Sequence, residues 1–302
     1  MKTAIIGAGA MGCLYACMLS EKHAVTLFDI SREVVGAINT HGILCHEADG
    51  SERVFRVHAR CDSDDTERFD LVILFVKDTV SESALAGNRG LIGKHTILLS
   101  LQNGMGNEEI MEKFVPRDGI LLGTTKHNCV CTAPGEIYHS GAGVTHIGSP
   151  AHNRAMAEGV AEAFAACGVE SEVCDNVRRL LWEKLFVNMT INPLTALLGT
   201  TIGALAENPF LREVAHDLLV EATAVAAADG EAFDAEELYV NLIRTAEVLS
   251  TGKASMYQDI LNKRRTEVDF INGAVVRLGK KYGVPTPLHE QIVRLIHAKE
   301  RL

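Results

Sequence analysis

The segment KTAIIGAGAMG, residues 2–12, gives the strongest indication of the fold of this protein. A short apolar run leads into Gly7, Gly9 and Gly12, which have the spacing G-x-G-x-x-G and precede a segment rich in small residues. In a strand–turn–helix unit such glycines allow a tight turn, a close backbone approach to a pyrophosphate and close packing of the helix on the strand. The helix N-terminus offers amides and a positive dipole end to the anion. The pattern predicts a dinucleotide site, with a ligand-free turn as the alternative.

Asp29 lies at the end of the next apolar run, AVTLFD, twenty residues beyond Gly9. A carboxylate at this position accepts hydrogen bonds from an adenosine ribose and repels a 2′-phosphate, which favours NADH over NADPH. Arg32 follows three residues later and could reach such a phosphate instead. Alternatively, Asp29 caps the next helix, in a turn that also contains Ser31.

Around this motif, short β-rich runs alternate with helical patterns up to residue 175, as in βαβ units with a mostly parallel sheet. Candidate strands are KTAIIG, AVTLFD, DLVILFV, TILLSL and GILLGTT, and their nearly continuous apolar character fits strands covered on both faces. Between residues 128 and 148, Pro-Gly and Gly-Ala-Gly turns predict antiparallel strands added at the sheet edge. A helix near 152–167 and a last strand, ESEVC, complete this half.

After Cys174 the strand signals end, and helical periodicity rich in alanine and leucine continues to the end of the sequence. A chain of 302 residues also exceeds the usual size of a single core. We therefore predict an α/β protein with two domains: a Rossmann-like dinucleotide-binding domain at 1–175 and an all-helical substrate and catalytic domain at 176–302. A cleft at the hinge between them is the expected place for a ligand.

Composition excludes several classes of protein. A net charge of −10 and a pI near 5.6 argue against a nucleic-acid or anionic-membrane binder, because phosphates are held by clustered Lys and Arg. The eight cysteines include no C-x-x-C pair, and no signal or membrane-spanning run is present, so we expect a reduced, cytoplasmic protein without a disulfide framework or a metal site. The helical half could supply a homodimer interface.

Two polar residues follow strands of the predicted sheet. Lys77 comes directly after the strand in LFVKDT, and Asn103 ends the strand in LSLQNGMG. Ligands of open α/β sheets bind beyond the carboxyl ends of the strands, so both residues are candidates for a binding site. The alternatives are a solvated loop lysine and the first residue of an Asn-Gly turn.

A polar stripe runs through the helical segment LWEKLFVNMTINPL, residues 181–194. Steps of four residues place Lys184, Asn188 and Asn192 on one side of an α-helix. Asparagine is a mediocre helix former, so two of them four residues apart indicate specific hydrogen bonds, and Pro193 should kink or end the helix just after them. Taken alone, Lys184 could equally be a solvated lysine.

A second candidate stretch, KASMYQDILNKRRTEVDFING at residues 253–273, contains Ser255 and Glu267. Ser255 and Gln258 have the S-x-x-Q spacing of a capping box, which would explain the serine without a ligand. Glu267 could form an exposed ion pair with a nearby arginine.

Seven motifs together resemble the ketopantoate reductase (2-dehydropantoate 2-reductase) family: GAGAMG, LFVKDT, LQNGMG, GTTKH, THIG, WEKLFVNMTINPLTAL and SMYQDILNKRRTEVDFING. They run nearly from end to end of the chain. The resemblance implies a Rossmann domain followed by a helical domain, with NAD(P)H-dependent reduction of ketopantoate to pantoate, a step of pantothenate and coenzyme A biosynthesis, in the cleft between them. Its small-molecule partner is thus a 2-oxo acid.

The resemblance also implies roles for individual residues. The catalytic pair is Lys184 and Glu267. The substrate-binding residues are Asn103, Asn188, Asn192 and Ser255. The cofactor-binding residues are Gly7, Ala8, Gly9, Ala10, Met11, Gly12, Asp29, Lys77 and Asn103.

The sequence departs from the family pattern at two places. Members specific for NADPH carry an arginine just after the second strand, where this chain has Asp29 and Ile30, and this again favours NADH. Gly252 stands where some members have an asparagine three residues before the serine. A D-2-hydroxyacid dehydrogenase on the same scaffold and a non-catalytic dinucleotide sensor are therefore alternative functions.

Overall fold

The computed structural model describes residues 1–63 and 67–302, and this part of the chain divides into two compact units. The first unit comprises Met1–Gln102 and Asn107–Leu180, and the second comprises Asn103–Gly106 and Leu181–Leu302. The sequence predicted a boundary at 175/176, whereas the second unit begins at Leu181 and also contains the short segment 103–106. That segment belongs to the second unit because its backbone is bonded there, as described below.

The first unit contains the strands of the described chain. They are β1 (Lys2–Ile6), β2 (Ala24–Phe28), β3 (Ile43–Glu47), β4 (Glu52–Phe55), β5 (His58–Arg60), β6 (Leu71–Leu74), β7 (Ile97–Ser100), β8 (Ile120–Thr125), β9 (Asn128–Ala133), β10 (Glu136–Gly141), β11 (Thr145–Gly148) and β12 (Ser171–Val173). Eight of them form one sheet in the order β12-β11-β8-β7-β6-β1-β2-β5. The other four form a small sheet in the order β4-β3-β10-β9.

The large sheet is parallel except at one strand pair. β11 runs antiparallel to β8, whereas the other neighbouring strands run parallel. All four residues of β6 are buried, as expected of a strand covered on both faces. The chain leaves β1 toward β2 on one side and returns to β6 on the other, so the strand order reverses at β1 and β6. Open α/β sheets bind ligands at such a switch point.

The predicted α/β class is confirmed, and the five apolar runs are β1, β2, β6, β7 and β8. The prediction for 128–148 was wrong in part, because only β11 joins the large sheet, while β9 pairs with β10 and β10 pairs with β3 in the small one. Residues 43–60 form three strands that the sequence analysis did not predict. β3 pairs with β10 in parallel, some ninety residues later, and no local pattern encodes such a pairing.

The helices of the first unit are α1 (Ala10–Leu19), α2 (Arg32–His41), α3 (Ser81–Gly87), α4 (Asn107–Met111) and α5 (Arg154–Ala165). α6 (Val177–Leu198) leads into the second unit, which continues with α7 (Ala204–Glu207), α8 (Pro209–Ala228), α9 (Ala235–Val248), α10 (Ser255–Leu261), α11 (Asn272–Tyr282) and α12 (Pro287–Lys299). The second unit has its own core, around the fully buried Trp182, Leu218 and Val275. The two cores are thus built from different parts of the chain.

All eight cysteines are free thiols, and burial raises the pKa of Cys13 and of Cys17 far above its ordinary value. Cys13 and Cys17 therefore act as small apolar side chains that pack α1 into the core of the first unit. In the part of the chain that the structure describes, no helix combines the length and apolar composition that a bilayer crossing requires.

Candidate active site

The glycine-rich turn lies at the carboxyl end of β1 and has the geometry of a phosphate cradle. Gly7 has a φ of +106°, and a Cβ there would lie 2.7 Å from the backbone nitrogen of Val76. A Cβ on Gly12 would lie 1.8 Å from the carbonyl oxygen of Gly7, so α1 can pack this closely only without a side chain. Gly9, the N-cap of α1, is exposed and would meet no described atom within 4 Å, which leaves its backbone open to a ligand.

Asp29 connects the ends of β1 and β2. Its Oδ2 accepts a hydrogen bond from the amide of Ala8 at 2.8 Å, and its Oδ1 accepts one from the amide of Ser31 at 2.9 Å. The cap of α2 is Ser31, whose hydroxyl accepts from the amide of Val34 at 3.3 Å. Asp29 is therefore not the helix cap, and its oxygens retain lone pairs for a ribose. Arg32, the first residue of α2, is exposed.

Lys77 lies at the same edge of the sheet, half-buried after β6. The loop is held by Gln102, whose amide group donates to the carbonyl of Val76 at 2.6 Å. The next residue, Asp78, is buried and accepts from the side chain of Asn107 at 2.7 Å. The turn, Asp29 and Lys77 are thus brought to one edge of the first unit, as the sequence predicted.

The segment Asn103–Gly106 is fastened to the second unit. The amide of Met105 donates to the carbonyl of Phe270 at 2.8 Å, and Nη2 of Arg277 donates to the carbonyl of Met105 at 2.9 Å. Gly104 has a φ of +83°, and a Cβ there would lie 2.4 Å from the Phe270 carbonyl oxygen. Asn103 is therefore placed by the stretch that follows Glu267, rather than by an isolated Asn-Gly turn.

The polar stripe on α6 lies in the second unit. Lys184 is half-buried, Asn192 is 6% exposed, and Nδ2 of Asn192 lies 3.5 Å from the hydroxyl of Ser255. Nδ2 of Asn188 is buried and has no hydrogen-bond acceptor among the described residues. A buried donor without an acceptor costs about 1–3 kcal/mol, so the stripe offers an unused donor beside Lys184 on the same helix. This arrangement does not fit a solvated helix face.

Of the two outcomes predicted for Pro193, a kink or an end of the helix, the end does not occur, because α6 continues to Leu198. Proline has no N–H, so the carbonyl of Met189, four residues earlier, loses its helical donor. Nδ2 of Asn272 replaces it at 2.9 Å, and the same amide group lies 3.2 Å from Nδ1 of His289. The helix passes through the proline because a side chain from α11 satisfies the carbonyl that the proline leaves free.

Ser255 is the first residue of α10, and the N-cap is Ala254, without a side-chain cap. The side chain of Gln258 donates to the carbonyl of Lys253 at 2.8 Å instead of closing a capping box. The capping explanation of Ser255 was therefore wrong, and its exposed hydroxyl faces Asn192.

Glu267 is 7% exposed, so it does not form the exposed ion pair that was the alternative. Arg265 pairs with Asp269 at 3.0 Å. Thr266, the residue before Glu267, donates from its amide at 2.8 Å and from its hydroxyl at 2.6 Å to one oxygen of Glu300, the C-cap residue of α12. The backbone that carries Glu267 is thus held by the last helix.

His297 completes this support on α12. Its ring lies 2.9 Å from Glu300 and 2.9 Å from Asp269, and these contacts raise the pKa of His297. Burial raises the pKa of Glu300, but hydrogen bonds from Thr266 and from His297 outweigh it, so the pKa lies below its ordinary value. Glu300 and His297 thus contact the two ends of the segment 266–269, Glu300 at Thr266 and His297 at Asp269.

Sequence reasoning missed three supporting residues. They are Asn272, Arg277 and Glu300. Asn272 lies within the quoted motif, and a proline inside an amphipathic helix signals that some donor must replace the lost one. Nothing in the local sequence of Arg277 or Glu300 indicates their partners, which are 172 and 34 residues away. In the described ranges no group of three or more His, Cys, Asp or Glu could hold a metal ion.

Two family models match the chain: Ketopantoate reductase PanE/ApbA over residues 3–152, and Ketopantoate reductase PanE/ApbA C terminal over residues 176–300. A 2-dehydropantoate 2-reductase of Lactococcus lactis subsp. lactis is 34% identical over an alignment 313 positions long, which covers 100% of this chain and 99% of the relative.

Solved structures agree with these matches. A D-mandelate dehydrogenase in ternary complex with NADH and anilino(oxo)acetate superposes with a TM-score of 0.95 at 34% identity, covering 100% of this chain and 98% of that one. A PanE/ApbA family ketopantoate reductase from Ralstonia eutropha superposes with a TM-score of 0.90 at 32% identity, covering 100% and 99%. The chain therefore belongs to the ketopantoate reductase family, a family of NAD(P)H-dependent oxidoreductases.

Proposed function

We propose that this protein reduces the 2-oxo group of ketopantoate to a hydroxyl group, giving pantoate, with NADH as the hydride donor. The observation that carries the proposal is the buried Nδ2 of Asn188, which has no acceptor among the described residues and lies one helical turn from Lys184. A 2-oxo acid brings a carbonyl and a carboxylate oxygen on adjacent carbons. Such a ligand can accept from Asn188 and from Lys184 together.

The side chains of the second unit supply what the reaction needs on the substrate oxygen. When bound, the dihydronicotinamide supplies a hydride to the carbonyl carbon, which leaves the oxygen as an alkoxide. The ammonium group of Lys184 stabilises that negative charge and donates the proton that completes the hydroxyl. Glu267 orients the hydroxyl or the lysine, and Ser255 binds the carboxylate. Three asparagines orient the substrate oxygens: Asn103, Asn188 and Asn192.

Two features of the first unit support the proposed cofactor. The glycine cradle supports binding of a dinucleotide, and Asp29 supports a preference for NADH over NADPH. Both carboxylate oxygens of Asp29 are held by backbone amides, so the negative charge is fixed where the adenosine ribose lies in dinucleotide-binding folds. A 2′-phosphate there would meet this charge. Arg32, which is exposed on α2 three residues after Asp29, is the group that would have to neutralise such a phosphate if NADPH were the cofactor.

A second candidate is a D-2-hydroxyacid dehydrogenase that takes simpler 2-oxo acids, and Gly252 favours it. A Cβ on this residue would lie 3.0 Å from the carbonyl oxygen of Leu249, and the Gly252 carbonyl accepts from the amide of Ile202 at 2.9 Å. The loop therefore fits a glycine tightly and does not offer the asparagine contact of some family members. The similar D-mandelate dehydrogenase binds NADH.

Oxidation of NADH and of NADPH, followed by absorbance, tests both candidates. The substrates are ketopantoate, 2-oxoisovalerate, pyruvate and phenylpyruvate. The proposal expects the highest kcat/KM with ketopantoate and NADH; a preference for phenylpyruvate would support the second candidate, and a preference for NADPH would overturn the role of Asp29. Inactivity with all four acids would contradict both candidate activities and would favour the alternative of a non-catalytic dinucleotide sensor.

Replacement of Lys184 by alanine tests its role as the proton donor. We expect turnover to fall by about 100-fold or more, the lower end of what acid–base groups contribute, while NADH affinity stays within about twofold. Lys280→Ala, which removes an exposed lysine of α11, is the matched control. Near-normal turnover of Lys184→Ala would remove this residue from the mechanism.

A further inference from the structure

A chain of three polar side chains in the first unit is not used by the proposed mechanism. His127 follows the carboxyl end of β8, and its Nδ1 lies 3.0 Å from Nε2 of His139 on β10. Nδ1 of His139 in turn lies 2.7 Å from Oε2 of Glu47 on β3. His139 is 7% exposed, whereas the side chain of Glu47 is 42% exposed. These three side chains, Glu47, His139 and His127, form a hydrogen-bonded relay that connects a surface carboxylate to the partly buried ring of His127.

The inner end of this relay is a buried nitrogen atom that has no hydrogen-bond partner among the described residues. Among the described residues, Nε2 of His127 has no hydrogen-bond partner, although it is removed from solvent. The rings of Tyr15 and His127 are in edge-to-face contact, with 6.0 Å between their centroids. A buried imidazole nitrogen that is left unsatisfied is costly, and in native proteins such an atom calls for an explanation.

The carboxylate of Glu47 determines the tautomers of the two imidazole rings, and therefore whether Nε2 of His127 carries a proton. Glu47 accepts from His139 Nδ1–H with one oxygen and from the thiol of Cys45 at 3.4 Å with the other, so it offers acceptors to both neighbours. With neutral rings, His139 Nε2 is then an acceptor, and the proton of His127 must sit on Nδ1 to donate to it. Burial and the neighbouring His139 lower the pKa of His127, which favours the neutral ring. Nε2 of His127 is therefore left as a lone-pair acceptor.

The position of Nε2 of His127 in the sheet places it on the side where the nicotinamide half of a bound dinucleotide is expected. Two rings connect it to the glycine turn: the tilted rings of Tyr15 and Phe75 have 4.8 Å between their centroids, and the backbone of Phe75 lies within 3 Å of a Cβ built on Gly7. Asp29 marks the adenosine side of the switch point, at the end of β2. A dinucleotide spans the switch point, so its nicotinamide half belongs on the side of β6, β7 and β8, where His127 lies.

We propose that Nε2 of His127 accepts a hydrogen bond from the nicotinamide half of the bound dinucleotide, and that Glu47 acts through His139 to keep this nitrogen an acceptor. The donor on the ligand is either a ribose hydroxyl or the carboxamide N–H, because both present a polar hydrogen. His127 is thus a cofactor-binding residue, and His139 and Glu47 are positioning residues. The inference rests on the proposed use of a nicotinamide dinucleotide.

Direct binding measurements test the inference without turnover. NADH is titrated into the whole protein, and its fluorescence gives the dissociation constant. His127→Phe removes the acceptor and retains a ring, and we expect NADH to bind about fivefold or more weakly, as for the loss of one neutral hydrogen bond. Unchanged affinity in a folded His127→Phe protein would overturn the proposal.

The relay is tested at its exposed end. Glu47→Gln replaces an obligate acceptor by a group that can donate to His139, so the tautomer of both rings is no longer imposed. We expect weaker NADH binding, again by about fivefold, from a substitution at the surface. Glu136→Gln is the matched control, since Glu136 contacts His46 at 3.1 Å beside the exposed Tyr138 of the same strand. Equal affinity of Glu47→Gln and Glu136→Gln would refute the relay.

Nitrogen NMR of ¹⁵N-histidine protein gives an independent readout. A pyridine-like Nε2 signal that is absent from His127→Phe supports the acceptor assignment, and a pyrrole-like or cationic Nε2 in the wild type overturns it. Comparison of NADH with its reduced 3-acetylpyridine analogue, which lacks the carboxamide N–H, identifies the donor. If the wild type and His127→Phe bind the analogue equally, the donor is the carboxamide; if the difference persists, it is a ribose hydroxyl.

Failure of this inference is distinguishable from failure of the proposed function. A wild type that is inactive with every 2-oxo acid, but whose NADH affinity falls in His127→Phe, contradicts the function and leaves the binding residue in place. An active wild type, together with unchanged NADH affinity in His127→Phe, supports the proposed function and contradicts the role of His127.

Discussion

Replacement of Asn272 by leucine should destabilise the helical unit by about 2–4 kcal/mol, because one side chain satisfies two buried acceptors. Asn272 is fully buried, and its Nδ2 donates to the carbonyl of Met189 at 2.9 Å and to Nδ1 of His289 at 3.2 Å. The second acceptor is defined by the ring's other nitrogen, which lies 3.1 Å from the carbonyl of Leu218 and must donate to it.

The magnitude follows from the groups left behind. Each buried acceptor without a donor costs about 1–3 kcal/mol, so two of them cost about 2–6 kcal/mol. Leucine also removes Oδ1 of Asn272, which is itself buried without a partner in the described part of the chain, and this recovers part of the loss. The lower half of the range, about 2–4 kcal/mol, is therefore the expected change in the free energy of unfolding.

A second substitution tests the reason rather than the size of the effect. Pro193→Ala restores the N–H that Met189 lacks in the helix, so it should recover about 1–2 kcal/mol in the Asn272→Leu background. In the wild type the same carbonyl is already bonded to Asn272, and this gain is not available. The two substitutions should therefore be non-additive by at least about 1 kcal/mol.

Urea-induced unfolding followed by the fluorescence of Trp182 is the assay, since this residue is the single tryptophan and lies in the core of the helical unit. Asn262→Leu is the matched control, because this exposed asparagine also donates to a helical carbonyl, that of Gln258 at 2.7 Å. A loss below about 0.5 kcal/mol for Asn272→Leu, or strict additivity with Pro193→Ala, would refute the reasoning.

Three further predictions concern the helical unit. Burial lowers the pKa of His289 to about 4, so the unfolded state binds its proton first as the pH falls below 6.5, and stability is lost between pH 6.5 and 4 by up to about 3 kcal/mol; urea titrations at pH 7 and pH 4.5 should show a smaller loss in His289→Gln, and an equal loss would contradict the assignment. Gly104→Ala should lower stability by about 1–3 kcal/mol and raise the KM for the 2-oxo acid, because its Cβ would lie 2.4 Å from the Phe270 carbonyl oxygen at a φ of +83°; an unaltered KM would separate this loop from the substrate. Glu300→Ala, which releases Thr266, should reduce kcat several-fold while NADH affinity is retained, and an unchanged kcat would limit this contact to stability.

Local sequence patterns predicted the elements that are built from neighbouring residues. A Cβ on Gly7 would meet the backbone of Phe75 and Val76, which are far along the chain, but the steric reason for Gly12 is local: its Cβ would lie 1.8 Å from the carbonyl oxygen of Gly7, within one strand–turn–helix unit of fewer than twenty residues. The same holds for the α6 stripe, since a spacing of four residues places side chains on one face of any helix. These features were readable because their partners are close in the sequence.

Spacing alone failed where the backbone had a choice. The S-x-x-Q pattern at Ser255 fits a capping box, but the helix begins at this residue, so Ala254 occupies the cap position. Pro193 fits a helix end, but the helix continues because Asn272 provides the missing donor. At Pro193 a tertiary contact therefore decided between conformations that the local sequence allowed, whereas at Ser255 the side chain of Gln258 bonds the carbonyl of Lys253 instead of closing the box.

Local patterns were sufficient to predict the fold class, the glycine turn, the acidic residue at the end of β2 and the polar stripe of α6, because hydrophobic periodicity and residue spacing are short-range properties. The pairing of the polar groups became known from the three-dimensional structure. Asn272 and Met189 are 83 residues apart, and His139 and Glu47 are 92 apart. A hydrogen bond depends on distance and direction between two atoms, and a single polar residue carries no periodic signal of its partner, so these contacts arise only when the packed elements bring them together.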